Sequence, residues 1–566
     1  MSPTAVARFQ EPEEISPPKS IGQRVKDVGW TVLHHATKHI GVGIVCSVAY
    51  FDPGNWGVDL QAGSEFGYHL LFVVLLAGIF AVFLQILASR LGCVTGLDLA
   101  SHNRLLLYNR PKHTLLYRYL GLYPLYVLAE IAIVATDLAE LLGSAIALCM
   151  LFPSLELWHG VLITAFDVIL ILGMGDPLRG KPVKSFEILI GGMVLAVLIC
   201  MVIIITKVNV HWGTAFAGFL PSKFIVAKGG VYTSVGILGA TVMPHSLFLG
   251  SALATQDRVD FRAKYENDGT INDSVEDLKG TRTRSAAVGQ YLRECKEIAL
   301  SAFRKPPVSE YVKTATTYAD RSNNSYEFVR AHIYHGTFDI AGSLLGFAVM
   351  INSLILMLAS AVFFYGSGHK DGADPASLFD AYDLIRDVVG QAAATIFAIA
   401  LLAAGQSASI VATVAGQAVC EGFLHWRVSP IIRRMITRLL AIIPAMAVAI
   451  AVGRPGIDAL LVASQVVLSI TLPFVTFPLL YCTSQKSIMT VRKRRGASRS
   501  NSVDDSFVIN ETPIKKVGAL ESADDFETVD YSNNKIAIGF GAIIWLIVVA
   551  ANLYALVELG LGNAGA

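Results

Sequence analysis

Two short stretches of an otherwise apolar chain carry the residue types from which a cation site could be built. In HIGVGIVCSVAYFDPGNWG, the residues Asp52, Pro53, Gly54 and Asn55 follow a nearly unbroken apolar run. In VGILGATVMPHSLFLGSAL, Pro244 interrupts a second apolar run between Met243 and His245. Proline lacks an N–H and glycine relaxes the dihedral angles, so a helix passing through either stretch is expected to unwind and free backbone carbonyls. A carboxylate, a carboxamide and freed carbonyls then converge at the first break, and a thioether lies at the second. Oxygen donors alone would suit Mg2+ or Ca2+, whereas a thioether favours softer transition ions such as Mn2+ or Fe2+. A methionine on an apolar helix ordinarily only packs, and it is the adjoining break that singles out Met243.

The elements that position these residues must lie in a bilayer. The 566 residues are 54% hydrophobic and 16% charged, where a soluble chain would carry about 25% charge. Mean hydropathy is +0.55. The net charge of +1 argues against a nucleic-acid partner. Seven scattered cysteines without a CxxC imply neither a disulfide framework nor a zinc knuckle.

Crossing the hydrocarbon core takes about 20 apolar residues. Eleven stretches qualify: 37–58, 68–92, 120–151, 157–174, 185–207, 229–255, 333–364, 391–423, 435–452, 456–483 and 536–558. The rest divides into an N-terminal tail (1–36), an insert between spans 6 and 7 (256–332) and a basic, Ser-rich loop between spans 10 and 11 (484–535). Residues 536–566 form the last span and the C-terminus. The first 20 residues are polar and Pro-rich, so no signal peptide is expected and the tail is placed in the cytosol. Arg104, Arg110, Lys112 and Arg118 after span 2, and Arg179, Lys181 and Lys184 after span 4, agree with that orientation. Both inserts then fall in the cytosol, where they read as appendages rather than folded domains. The sequons at Asn272, Asn323 and Asn510 fall on the same side, so no sugar is expected there.

A carboxylate at membrane depth costs about 2.5–3.5 kcal/mol, so Asp52 implies a cavity with a function. A Pro-interrupted span opening each half of the chain is the pointer to an inverted-repeat transporter with its site at the midplane. Spans 1–5 and 6–10 would be the repeats, with span 11 appended.

Span 3 reads VLAEIAIVATDLAELLGSA, and its Glu130, Asp137 and Glu140 are spaced by seven and three, which places them on roughly one helix face. Three carboxylates facing lipid would be prohibitive, so that face is expected to look inward. They either bond helices together or relay protons, with Arg433 and Arg434 at the start of span 9 as candidate partners. Asn352 in span 7 is expected to bond across helices or order water.

DPGN together with MPH, backed by QAGSEFGYHLL, QILASRLGCVTG, ATDLAELLG, LLAAGQSAS and VAGQAVCEGF, resembles the NRAMP family of proton-coupled divalent-metal transporters, most closely its fungal manganese and iron branch. The resemblance implies an all-α polytopic membrane protein with a LeuT-like fold, two inverted five-helix repeats plus one helix. It implies metal ligation by Asp52, Asn55 and the Met243 sulfur, by the Ala240 carbonyl, and by Gln465 in some conformations. Pro53, Gly54 and Pro244 would support the breaks. Many relatives have a second histidine five residues after His245; this chain has Gly250.

Coordination requires the ionised carboxylate, so metal entry should expel a proton from Asp52. His245 would be a secondary titrating or structural group, and the span 3 carboxylates with Arg433 and Arg434 the exit route. The expected activity is symport of protons with Mn2+, Fe2+ and related ions into the cytosol. No cofactor is expected to be bound permanently. Expected partners are divalent metals, protons and membrane lipid, for a monomer in the plasma, endosomal or vacuolar membrane. The rivals are a carrier of the same architecture for an organic cation or amino acid, and a passive cation channel. An enzyme is not expected: GDPLRGK at 175–181 is followed by Pro182 where a P-loop needs Ser or Thr, and the sequence has no HExxH or GxSxG.

Overall fold

A computed structural model describes residues 41–164, 184–227, 229–258, 318, 321–366, 377–425, 430–494 and 526–560. Eight helices among them are long and apolar enough to cross a membrane, so the chain is an integral membrane protein. They are Pro53–Thr95, Thr114–Leu151, Phe186–Ile205, Gly230–Leu253, Tyr326–Phe364, Gln391–Leu424, Arg454–Ser484 and Lys535–Val557. Three of the eleven predicted spans have no helix of their own in that set. Span 1 is divided by its break, and the part after the break is continuous with span 2. Span 4 is described only to Thr164, and span 9 holds a shorter apolar stretch, Met435–Ala451.

In chain order the elements used below are α1 (Val42–Val48), α2 (Pro53–Phe66), α3 (Leu71–Thr95), α4 (Leu99–Leu107), α5 (Tyr123–Leu151), α6 (Leu157–Thr164) and α7 (Lys184–Ile205). They continue with α8 (Gly230–Thr241), α9 (Pro244–Leu253), α10 (Tyr326–Phe364), α11 (Leu378–Val388), α12 (Gln391–Leu424) and α13 (Pro430–Ala451). Last come α14 (Arg454–Ser484), the strands β1 (Thr490–Arg494) and β2 (Phe526–Asp530), and α15 (Lys535–Gly560).

Helices in lipid gain little from burying apolar surface against one another, so close approach at small residues does the packing. Here α5 packs on α12 and α14, α2 on α10, and α8 on α14. A Cβ on Gly63 of α2 would lie 2.6 Å from the Ala359 Cβ of α10, and one on Gly405 of α12 would lie 3.3 Å from Pro53 Cγ. The start of α2 is thereby seated against α12, and the first break is enclosed within the bundle.

At one end of the bundle the described roots of both inserts are folded and meet. β1 pairs antiparallel with β2, from Thr490 opposite Asp530 to Arg494 opposite Phe526. Arg90 at the end of α3 donates to the Tyr531 carbonyl at 2.7 Å, and Asn323 donates to the carbonyls of Ile488 and Thr490 at 2.7 and 2.8 Å. The tail 1–36, Asn272, Asn510 and the 175–181 loop lie outside the described residues.

Candidate metal site

At the first break α1 stops at Val48, and the chain tightens as Ala49 and Tyr50 N–H groups reach back to the Cys46 and Ser47 carbonyls at 3.2 and 3.0 Å. It resumes at Pro53, whose missing N–H is harmless in the first helical turn. Asp52 is the N-cap: Oδ1 accepts from the Asn55 N–H at 2.9 Å. The Asn55 Nδ2 donates to the Tyr50 carbonyl at 2.9 Å, and Asn352 of α10 donates to the same oxygen at 2.7 Å. Gln465 of α14 enters from the other side. Its Nε2 meets Ser464 Oγ at 3.2 Å, and its amide occupies the place where a side chain on Gly54 would stand.

Four oxygens remain around this break: Asp52 Oδ2, Asn55 Oδ1, Asn352 Oδ1 and Gln465 Oε1. Each is buried and has no hydrogen-bond partner among the described residues. Buried polar atoms without partners are costly, and a desolvated cation would satisfy several at once.

The second break repeats the backbone device with different chemistry. α8 ends at Thr241, Val242 leaves the helical region (φ −98°, ψ 80°), and α9 restarts at Pro244. A helical carbonyl accepts from the N–H four residues on. Four on from Ala240 stands Pro244, so the helix cannot satisfy the Ala240 carbonyl. Met243 is fully buried at the N-cap position. Ser246 Oγ lies 2.7 Å from Tyr50 Oη and 2.9 Å from the Met243 carbonyl, which ties the two breaks together. Tyr50 Oη in turn donates to Gln85 Oε1 of α3 at 2.9 Å. The Gln85 amide fills the space a side chain at position 250 would need, so α3 occupies the place that the family pattern gives to a second histidine.

Of the residues read as a proton route, His245, Asp137 and Glu140 are buried, while Glu130 is only half-buried. His245 Nδ1 lies 3.2 Å from Thr136 Oγ1, beside Asp137. The arginine that meets Asp137 is Arg438 of α13, unremarked in the sequence: Nη1 is 3.5 Å from Asp137 Oδ1 and 3.3 Å from its carbonyl, and Nη2 bonds Ser409 Oγ. The side chains of Arg433 and Arg434 lie outside the described residues.

Among the described residues no three His, Cys, Asp or Glu side chains cluster as metal ligands. The site has one carboxylate, and its other donors are neutral.

The family described as Nramp, natural resistance-associated macrophage protein-like, matches residues 43–286 and 306–499, which include both breaks. The chain belongs to the Nramp family. Manganese transporter pdt1 of Schizosaccharomyces pombe is 40% identical over 527 residues, 93% of this chain and 86% of that protein. Iron transporter SMF3 of Saccharomyces cerevisiae is 35% identical, covering 94% of this chain and 98% of that protein. Among solved structures, the Eremococcus coleocola manganese transporter in complex with an aromatic bis-isothiourea substituted compound superposes with a TM-score of 0.63 at 26% identity, covering 96% of this chain and 89% of that one. The all-α Nramp fold that the resemblance implied is the fold of this chain.

Proposed function

We propose that this Nramp protein carries divalent transition-metal ions, Mn2+ and Fe2+ among them, into the cytosol by alternating access, with protons as the coupled ion. The observation that carries the reading is the set of four buried, unpartnered oxygens gathered at the first break, cross-linked through Ser246 to the break that bears Met243. A small bare cation satisfies several such oxygens at once; an organic cation or amino acid would need a larger void. The relatives, named as manganese and iron transporters, agree with that cargo.

In this scheme the ion enters as Asp52 releases its proton, because only the carboxylate coordinates. His245 and Thr136 lead from the second break to Asp137, where Arg438 supplies the counter-charge. An inside-negative potential favours inward movement of positive charge by about 2.3 kcal/mol per charge per 100 mV. The protein sits in the plasma, endosomal or vacuolar membrane with its N-terminus in the cytosol, consistent with the basic loops after spans 2 and 4.

The test is Mn2+ uptake by the full-length protein in proteoliposomes at acidic and neutral external pH, with a dye reporting internal pH. Saturable uptake, faster at acidic external pH and accompanied by internal acidification, is expected. Non-saturable uptake indifferent to the proton gradient would identify a channel, and the absence of metal uptake beside transport of an organic cation would overturn the cargo.

A further inference from the structure

The turn of α14 that follows Gln465 is opened by a proline and closed by another helix. Four residues on from Ser469 stands Pro473, so α14 has no N–H to give the Ser469 carbonyl. Asn552 of α15 supplies the missing donor: its Nδ2 lies 2.8 Å from the Ser469 carbonyl and 2.9 Å from the Val548 carbonyl of its own helix. Trp545, seven residues earlier and so on the same face of α15, donates Nε1 to the Pro473 carbonyl at 2.9 Å. Asn552 is 5% exposed on a helix whose other faces are open, with Ile543 at 55% and Leu553 at 60%.

The opposite side of the same turn lies against the second break. A Cβ on Gly239 would stand 2.6 Å from Ser469 Cβ and 2.9 Å from Ser469 N, so α8 and α14 touch with no slack immediately before Ala240. Gln465 is one turn from Ser469. The segment 465–469 is therefore gripped between α8 and α15, and its position fixes Gln465 relative to the Ala240 carbonyl.

We propose that Asn552 and Trp545 are positioning residues, through which α15 sets the affinity of the metal site by holding the proline-opened turn of α14. The inference rests on the transport reading above and assigns α15, the helix outside the two repeats, a part in binding.

Full-length protein in proteoliposomes tests it by KM and maximal rate for Mn2+. Asn552→Ala is expected to raise KM about fivefold, the scale of one neutral hydrogen bond, with maximal rate changed less than about twofold. Trp545→Phe, which keeps the ring and deletes the donor, should move KM in the same direction and carries the test if Asn552→Ala fails to fold. In a Gln465→Ala background, Asn552→Ala should add nothing, because both act through one side chain. Additive effects there, or a lower maximal rate at unchanged KM, would overturn the assignment. A transporting wild type whose KM neither variant shifts sinks this inference alone; a wild type that moves no metal sinks it together with the transport reading.

Discussion

The break between α1 and α2 restarts on a side-chain cap, and the break between α8 and α9 restarts without one. Asp52 caps the restarting helix through the Asn55 N–H, and two carboxamides clamp the Tyr50 carbonyl between them. At the second break the N-cap position is filled by Met243, whose side chain makes no cap, and the link to its surroundings runs through Ser246. The same proline-restarted geometry thus gives one anionic, stiff half-site and one neutral, polarisable half-site. On the transport reading proposed above, the first half-site supplies the charge that holds a cation and the second the means of telling one divalent ion from another.

Removing the charged half-site should have the largest effect. Asp52→Ala deletes a charged ligand and a helix cap together, and Mn2+ uptake should fall about a hundredfold or more. Asp52→Asn keeps a capping oxygen, so it should restore expression and thermal stability without restoring uptake. If instead it transports normally, the charge has been assigned to the wrong residue.

A smaller and qualitatively different change is expected at the soft half-site. Met243→Ala should keep Mn2+ uptake within about tenfold of wild type while Ca2+ begins to compete, as measured by inhibition with excess Ca2+. Unchanged calcium exclusion would erase the distinction between the halves. Asn352→Leu removes one of the two clamps on the Tyr50 carbonyl and should raise KM for Mn2+ only about threefold, because Asn55 still holds that oxygen.

The smallest effect is a control on pH. His102, in the short helix α4 outside the membrane-spanning helices, has Nε2 2.9 Å from Thr95 Oγ1 and Nδ1 2.7 Å from Tyr318 Oη. Burial, aided by the charge of Arg321, pushes its pKa from the usual 6.5 down to about 3. As pH falls below 6.5 the unfolded chain takes up a proton that folded His102 refuses, so this residue's contribution to stability is lost between pH 6.5 and 3. Thermal melts of wild type should therefore fall on acidification, and His102→Gln should flatten that trend. Acid-stimulated uptake would then come from the metal site and not from a better-folded protein.

DPGN and MPH could be read from the sequence because proline beside polar groups is conspicuous in an apolar span, and Asn352 stood out for the same reason. Ala240 and Gln465 carry no such mark: one contributes only its backbone, and the other lies in a stretch with several polar neighbours. They were reached through family resemblance. The apolar stretch 37–58 stops short of the helix, because Asp59, Gln61, Ser64 and Glu65 follow it. α2 runs on to Phe66 because it lies inside the bundle, where Asp59 is only 2% exposed. Arg438 was visible in RMITRLLAII as a charge one turn deeper than Arg433 and Arg434, and the cost of an intramembrane charge was the signal that could have singled it out. Gln85 could not be matched to Gly250 across 165 residues, since only folding brings them together.

The short ladder formed by β1 and β2 also offers an engineering handle. Arg494 and Phe526 stand opposite each other at its open end, about 5 Å apart as paired residues are. A reporter protein whose own termini are neighbours could be spliced there in place of residues 495–525. The graft would hang from a two-stranded stem fastened by Arg90, leaving α14 and α15, and the clasp between them, in register.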